Sequence, residues 1–307
     1  MLSTPESMLS DLRDWLDEPK AAFWTEERLM GRLNDAQQRI VRDISMEAPD
    51  AFVETYDISY VADQATYDLP LNARLGTRWI AVENRQSGEP YFYVLDIALE
   101  RYLFSENDSW PWTGNGISQI SLQGEKVRIS PVPNQADSNA IRYMYAPAYG
   151  NMIQWPVAST SSTTVTLSTT TANADPDYIT KFGKVDNRND AYNGMQWYIV
   201  SGAGAGQYGK ISDYVGLTRT FTLESAPSVS LATSSIFAVV SAVPEDFRDV
   251  QVLMAAKDGV VKGRTRVAEI DNTLFGQPGR PGKWQEMKAW FADRSFFRQE
   301  TVETWGV

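Results

Sequence analysis

The stretch Gly204-Ala205-Gly206-Gln207-Tyr208-Gly209-Lys210 has the spacing that most directly suggests chemistry. It satisfies both a GxxxxGK phosphate-binding pattern and a GxGxxG dinucleotide pattern. Both patterns work only where a strand precedes the glycines and a helix N-terminus follows, because main-chain amides and the helix end hold the phosphate. Here Ile211 stands where a Ser or Thr would bind magnesium, and Ile211 to Leu223 alternates like a strand. The glycines are therefore expected to shape a β-turn or bulge.

Other candidate groups are weaker. Asp186, Asn187, Asn189 and Asp190 gather oxygen ligands in one loop but lack the glycine and closing glutamate of a calcium loop, so a solvated turn is expected. Asp175, Asp177 and Asp186 are carboxylates of the kind that cleave glycosides in pairs, yet no spacing singles out a pair. The chain has no His and no Cys. That removes thiol chemistry, imidazole relays and most zinc sites. No catalytic residue, cofactor or metal is expected, and the chain reads as a shape rather than an enzyme.

Aromatic residues are plentiful, with 10 Trp, 14 Tyr and 12 Phe. Near the C-terminus Trp284, Met287 and Phe291 step by three and four along one helical stripe, with Trp290 and Phe297 on a neighbouring stripe. Packing against the preceding helix and contact with a second protein both fit this pattern. The width of the aromatic surface suits more than one neighbour.

The elements that would position these residues fall into three blocks. Ser3 and Glu6 fit a capping box for a first helix carrying Met8, Leu9, Leu12, Trp15 and Leu16, ended near Pro19. Thr25 caps a second helix, with Glu26 and Glu27 at its positive end and Leu29, Leu33, Ala36, Ile40 and Ile44 on one face. From Ala51 the period changes to two. Strands are expected toward Tyr60, around Tyr67 to Leu69, at Arg78 to Glu83, at Tyr91 to Leu95 and at Ile141 to Tyr145. Ile117 to Leu122 and Lys126 to Ile129 predict a hairpin, and Asp96 to Phe104 a short helix. Residues 149–240 are rich in Ser, Thr and Gly and predict further strands at 165–167, 208–214, 218–223 and 236–240. Pro244-Glu245-Asp246 opens a third helix reaching about Asp271, the glycine-rich 276–282 breaks it, and Lys283 to Gln299 predicts a fourth. The expectation is an α+β fold: a helical bundle with a small antiparallel β-sheet (1–148 and 241–307) and an inserted all-β domain (149–240).

Charge narrows the partners. The chain holds 39 acidic and 28 basic residues, a net charge of −11. A generic nucleic-acid coat would be basic. No run approaches the ~18 apolar residues of a membrane span, so no membrane contact is expected. Met1 to Asp17 is acidic where a signal peptide needs a basic and an apolar region, which points to synthesis and retention in a cytoplasm.

Four stretches, taken in order, resemble the head-to-tail adaptor (head-completion or connector) proteins of tailed bacteriophages. They are Leu33-Asn34-Asp35-Ala36-Gln37-Gln38-Arg39-Ile40, Tyr67-Asp68-Leu69-Pro70, Ile141-Arg142-Tyr143-Met144-Tyr145-Ala146-Pro147, and Val243-Pro244-Glu245-Asp246-Phe247 with Ala255-Ala256 beyond it. The likeness covers about residues 25–148 and 240–270, and the order of the stretches carries it. It departs from the simple pattern where the β domain separates the last two. The resemblance implies a structural virion protein at the neck, assembled in the host cytoplasm. It implies a homo-oligomeric ring of about twelve copies beneath the portal protein, joined to a tail or nozzle protein, with packaged DNA passing through without specific binding. Trp284, Trp290, Phe296, Phe297 and Trp305 are the candidates for contact with the portal or a neighbouring subunit. The competing readings are a tail or fibre component whose β domain binds glycan, and a glycan-cleaving enzyme.

Overall fold

A computed structural model describes residues 3–18, 24–48, 50–73, 81–85, 93–94, 96–97, 119–123, 126–130, 132–168, 182, 184–259 and 266–294. The chain divides into two compact units, one of Met1–Ala51 with Ala148–Val307 and the other Phe52–Pro147. The sequence boundaries drawn above differ, since they set residues 149–240 apart and left 52–147 with the helices. The fold class is α+β, with helices and antiparallel sheets both present.

Among the described residues the smaller unit holds eight strands: β1 (Glu54–Tyr60), β2 (Thr66–Asp68), β3 (Ala81–Asn84), β4 (Tyr93–Val94), β5 (Asp96–Ile97), β6 (Gln119–Gln123), β7 (Lys126–Ser130) and β8 (Asp137–Tyr145). They form two four-stranded sheets, ordered β1-β8-β3-β4 and β2-β7-β6-β5. The expected hairpin is present as β6–β7. The helix expected from Asp96 begins instead as β5, which pairs parallel with β6; residues 98–104 lie outside the described residues. A short apolar run is ambiguous between the two periods, and here pairing with a neighbouring strand decides it. Alternation on β8 puts Ile141, Tyr143 and Tyr145 into a core with Ile58, Tyr60, Tyr67, Leu69, Val127 and Ile129. Tyr67 also explains the Tyr-Asp-Leu-Pro stretch. Its hydroxyl donates to the Gln64 carbonyl (2.9 Å) and accepts from the Val61 N–H (3.1 Å), closing the turn before β2. On β1 and β8, Asp57 and Arg142 are cross-strand partners joined by two 2.8 Å hydrogen bonds.

The larger unit opens with α1 (Pro5–Leu16) and α2 (Glu26–Glu47). The cap of α1 is Thr4, whose hydroxyl accepts from the Ser7 N–H (3.1 Å), and not the expected Ser3–Glu6 box. Ser3 and Glu6 are diverted to distant partners, Glu245 and Gln154. The cap of α2 is Thr25 as expected, and its predicted face is fully buried. Met30, Asn34, Gln37, Val41 and Ser45 are buried beside it, so α2 is covered over a wide arc.

Six strands then close a barrel: β9 (Ile153–Thr160), β10 (Thr164–Leu167), β11 (Gln196–Ser201), β12 (Tyr208–Val215), β13 (Thr220–Leu223) and β14 (Ile236–Val239), ordered β10-β13-β12-β11-β14-β9. Closure leaves no free sheet edge. Its core is a run of aromatic rings: Tyr192 meets Tyr214 edge-on at 4.6 Å, and Phe221 lies 4.5 Å from Tyr214 and 5.1 Å from Phe237. Strands β9 and β11 had no expectation in the sequence. Beyond the barrel come a 3-10 turn (Glu245–Phe247), α3 (Arg248–Gly259), α4 (Arg266–Phe275), a two-residue ribbon of β15 (Gly276–Gln277) and β16 (Arg280–Pro281), and α5 (Lys283–Arg294). The ribbon is the expected glycine-rich break. Gly276, at φ 82, and Gly282 meet there so closely that a Cβ on either would lie under 2.4 Å from main chain.

Buried amide side chains tie the barrel to the helices. The Gln37 amide donates to the Gly150 carbonyl (3.0 Å) ahead of the barrel, and its oxygen accepts from the Ala242 N–H (3.3 Å) after it. Asn34 accepts from the Met152 N–H at 2.8 Å. Gln251 on α3 donates to the Leu33 carbonyl (2.9 Å) and accepts from Ser241 (2.6 Å). Gln37 and Gln251 are wholly buried, so each bond exists without competition from water.

Two consequences are measurable. Gln37→Ala orphans the Gly150 carbonyl and the Ala242 N–H, and is expected to lower the stability of the larger unit by roughly 2–4 kcal/mol, read as a fall in urea midpoint. The Arg142 guanidinium bonded to Asp57 holds that carboxyl below its ordinary value of 3.8. A depressed pKa contributes stability above the unfolded value and loses it as pH falls through the folded one. Asp57→Asn is therefore expected to be the less stable form at neutral pH, with the gap to wild type closing as pH falls below about 4 in a pH series of thermal midpoints.

Candidate functional site

The glycine motif is a structural hairpin. Gly202, Gly204 and Gly206 all take left-handed backbone angles (φ 85, 79 and 87) in the turn between β11 and β12. Gly209 sits on β12 directly opposite Trp197, where a Cβ would come 2.9 Å from the indole nitrogen. Gln207 staples the turn: its amide donates to the Gly204 and Val229 carbonyls (3.2 and 3.0 Å), and its oxygen accepts from Ser228 and the Val229 N–H (2.8 and 2.9 Å). Lys210 and Ile211 continue along β12, with Ile211 buried in the barrel. A strand follows the glycines, so this segment offers no helix end to a phosphate.

The oxygen-rich loop is likewise occupied by its own chain. Asp186 receives Arg188 Nη2 at 2.7 Å and the Arg188 N–H at 2.9 Å. Burial pushes its carboxyl up, but the bonds from Arg188 outweigh this and hold it below the ordinary value. Asn189 accepts from the Gly216 N–H (2.9 Å) and Asp190 from Asn193 (3.1 Å). Tyr214 donates to the Asp186 carbonyl at 2.5 Å. Among the described residues no three acidic groups gather in a way that would hold a metal ion. Asp175 and Asp177 lie outside the described residues.

A cleft of about 290 Å³ lies where the barrel ends meet the helices, lined by Ser3, Tyr149, Met195, Ser241, Glu245 and Arg248 among others. Its charged groups are engaged: Glu245 accepts from Ser3, and Arg248 pairs with Asp11. Within the lining the Ser3 hydroxyl and main-chain N–H both donate to the Glu245 carboxylate, a contact that ties the chain ahead of α1 to the segment after the barrel.

That leaves surfaces. On α5, Met287 and Phe291 are buried, while Trp284 and Trp290 are half-buried. Trp290 stands edge-on to Phe247 (5.4 Å) and Phe291 (4.8 Å), and the Arg294 guanidinium covers its face at 3.7 Å. Trp284 has the lighter environment, with the Lys288 ammonium 6.0 Å from its ring. Lys283 pairs with Asp249 on α3 (3.5 Å) and Lys288 with Glu47 on α2, so the helix is held on both sides. Of the five expected contact residues, the structure places Trp290 in a packed cluster and Trp284 half-buried beside Lys288. Phe296, Phe297 and Trp305 lie outside the described residues.

The sequence reading missed the buried amides of Asn34, Gln37 and Gln251. The available signal was their position beside the apolar stripes of two helices. Also, among the described residues, no helix is long and apolar enough to cross a membrane.

A family model described as SU10 adaptor protein matches residues 3–182, more than half of the chain. The match takes in α1, α2, all of the smaller unit and the first two barrel strands. It begins earlier than the likeness read from sequence, and the stretch at 243–256 quoted for that likeness falls beyond it. No curated protein matches the chain.

The aromatic helix gives a stability test. Trp290→Ala removes a half-buried ring from a three-ring cluster and is expected to cost about 2 kcal/mol, whereas Trp284→Ala is expected to cost under about 1 kcal/mol, both by urea titration.

Proposed function

Because the chain belongs to the SU10 adaptor protein family, a group of structural phage head-to-tail adaptors, we propose that it forms a ring of about twelve copies beneath the portal, joining the capsid to a tail or nozzle protein. The observation that carries this reading is the family match across both compact units. The family is one of structural proteins, and on this reading the chain works through contacts rather than as an enzyme.

The finer assignments follow from the same premise. Trp284, with Phe296, Phe297 and Trp305 further along, supplies the contact to the portal or a neighbouring subunit, while Trp290 backs it from within the chain. The barrel, residues 149–240, is a module inserted into an adaptor core of 1–148 and 241–307. Its rigid, edge-free wall suits a tail-component contact. A net charge of −11 lets packaged DNA pass through the ring without specific binding. The site of action is the virion neck, with assembly in the host cytoplasm.

The test is the mass of the purified full chain, alone and mixed with the portal protein of its own phage. The expected result is a ring of about a dozen copies formed on the portal. A stable trimer that ignores the portal would overturn the reading and move the function to a fibre.

A further inference from the structure

The outward faces of α1 and α2 carry opposite charge. On α2, Arg28, Arg32, Arg39 and Arg42 recur at steps of four, seven and three, which places them on one stripe. Arg28, Arg39 and Arg42 are exposed and Arg32 is half-exposed. Asp35 is the one acid within the stripe. From Arg28 to Arg42 it runs about 21 Å at ~1.5 Å per residue. Along α1 and its C-cap residue Asp17, Glu6, Asp14 and Asp17 are exposed and Asp11 is half-exposed, with Ser7 and Ser10 between the first two acids. The one basic residue of α1, Arg13, is turned inward, where it bonds the carbonyls of Glu18 and Trp24. From Glu6 to Asp17 the acidic face runs about 16 Å on the same measure.

Part of this charge is paired within the chain, Arg42 with Asp43 (2.9 Å), Asp11 with Arg248 and Asp17 with Arg266 (3.9 Å). Arg28, Arg32 and Asp14 are not: although α1 and α2 pack together in one unit, none of the three makes an ion pair among the described residues. Arg39 reaches Asp258 only at 3.9 Å, with both groups well exposed. A row of arginines on an acidic chain is a local reversal of the overall field. Arginine's planar fork matches a carboxylate, so the acidic face of a second copy is a suitable partner.

We propose that the arginine stripe of α2 docks on the acidic face of α1 in the next copy of this chain. One molecule then presents both halves of a heterologous contact, the kind that closes into a ring. The proposal deepens the adaptor reading and rests on it for the ring. Single exposed ion pairs contribute little, so the contact acts as an array, repeated at each subunit boundary and weakened by salt.

The test uses two charge-reversed full-length chains, Arg28→Glu with Arg32→Glu and Asp14→Lys with Asp17→Lys. Assembly is followed by native mass, with and without the portal, at low and high salt. Each variant alone is expected to need a roughly tenfold or higher concentration to assemble. An equimolar mixture is expected to recover wild-type assembly, because every boundary in an alternating ring then pairs opposite charges. Recovery also shows that both variants are folded. A mixture that stays unassembled, or variants that assemble like wild type, overturns the proposal. If the arginine variant assembles normally but its particles retain less DNA, the stripe faces the genome and the proposal falls. The two readings separate cleanly. A ring that depends on these charges yet ignores the portal keeps the contact and removes the adaptor placement. Equal filling of the portal by every variant does the reverse.

Discussion

Main chain that passes through a protein interior must have its N–H and carbonyl groups bonded, because each one left bare costs about as much as a lost hydrogen bond. The larger unit faces this demand at the two places where chain leaves and rejoins the helices, near residues 150–152 and 241–243. Asn34, Gln37 and Gln251 meet it from α2 and α3. An apolar residue at position 37 would leave the Gly150 carbonyl and the Ala242 N–H unbonded. These three amides bond the barrel's ends to the helices, with which the barrel forms one compact unit.

Other features follow from that attachment. With the barrel held, α1 is captured at its N-terminus by Glu245 and Gln154, which draws Ser3 and Glu6 away from the capping box they would otherwise form. The Phe247 ring at the start of the helices after the barrel is set where α5 can lay Trp290 and Phe291 on it. The inner sides of α1, α2 and α3 are used up in this way. On their outer sides some charges pair within the chain, as Asp11 does with Arg248, while Arg28, Arg32 and Asp14 make no ion pair among the described residues.

The smaller unit is organised differently. Its order comes from the cross-strand Asp57–Arg142 pair and from rings on one face of β8, where Tyr143 and Tyr145 stack two residues apart (5.4 Å). Burial pushes the Tyr143 phenol up to about 12, so this ring stays neutral throughout the physiological range. The Tyr67 hydroxyl shows how a short motif acts as a turn lock, since it bonds main chain on both sides of the loop it closes.

The sequence by itself determined the elements whose signals are local. Helical spacing located α2 and its buried face, proline and acids located the start of the helices after the barrel, and alternation located β7, β8, β12 and β13. Ile211 in place of a Ser or Thr, together with the strand-like alternation after it, argued against a phosphate site. Only the tertiary structure decided which polar residues are internal. Gln37 and Gln38 are adjacent and chemically identical, yet Gln37 is sealed in the core while Gln38 is half-exposed, because burial depends on what lies across from each. The strands β9 and β11 also needed the closed barrel, since their buried runs of Ile153 to Trp155 and Trp197 to Ile199 have no alternation. Local periodicity records one polar and one apolar side. A residue covered on both sides, or a polar one covered at all, is set by contacts distant in sequence, and those exist only once the chain has folded.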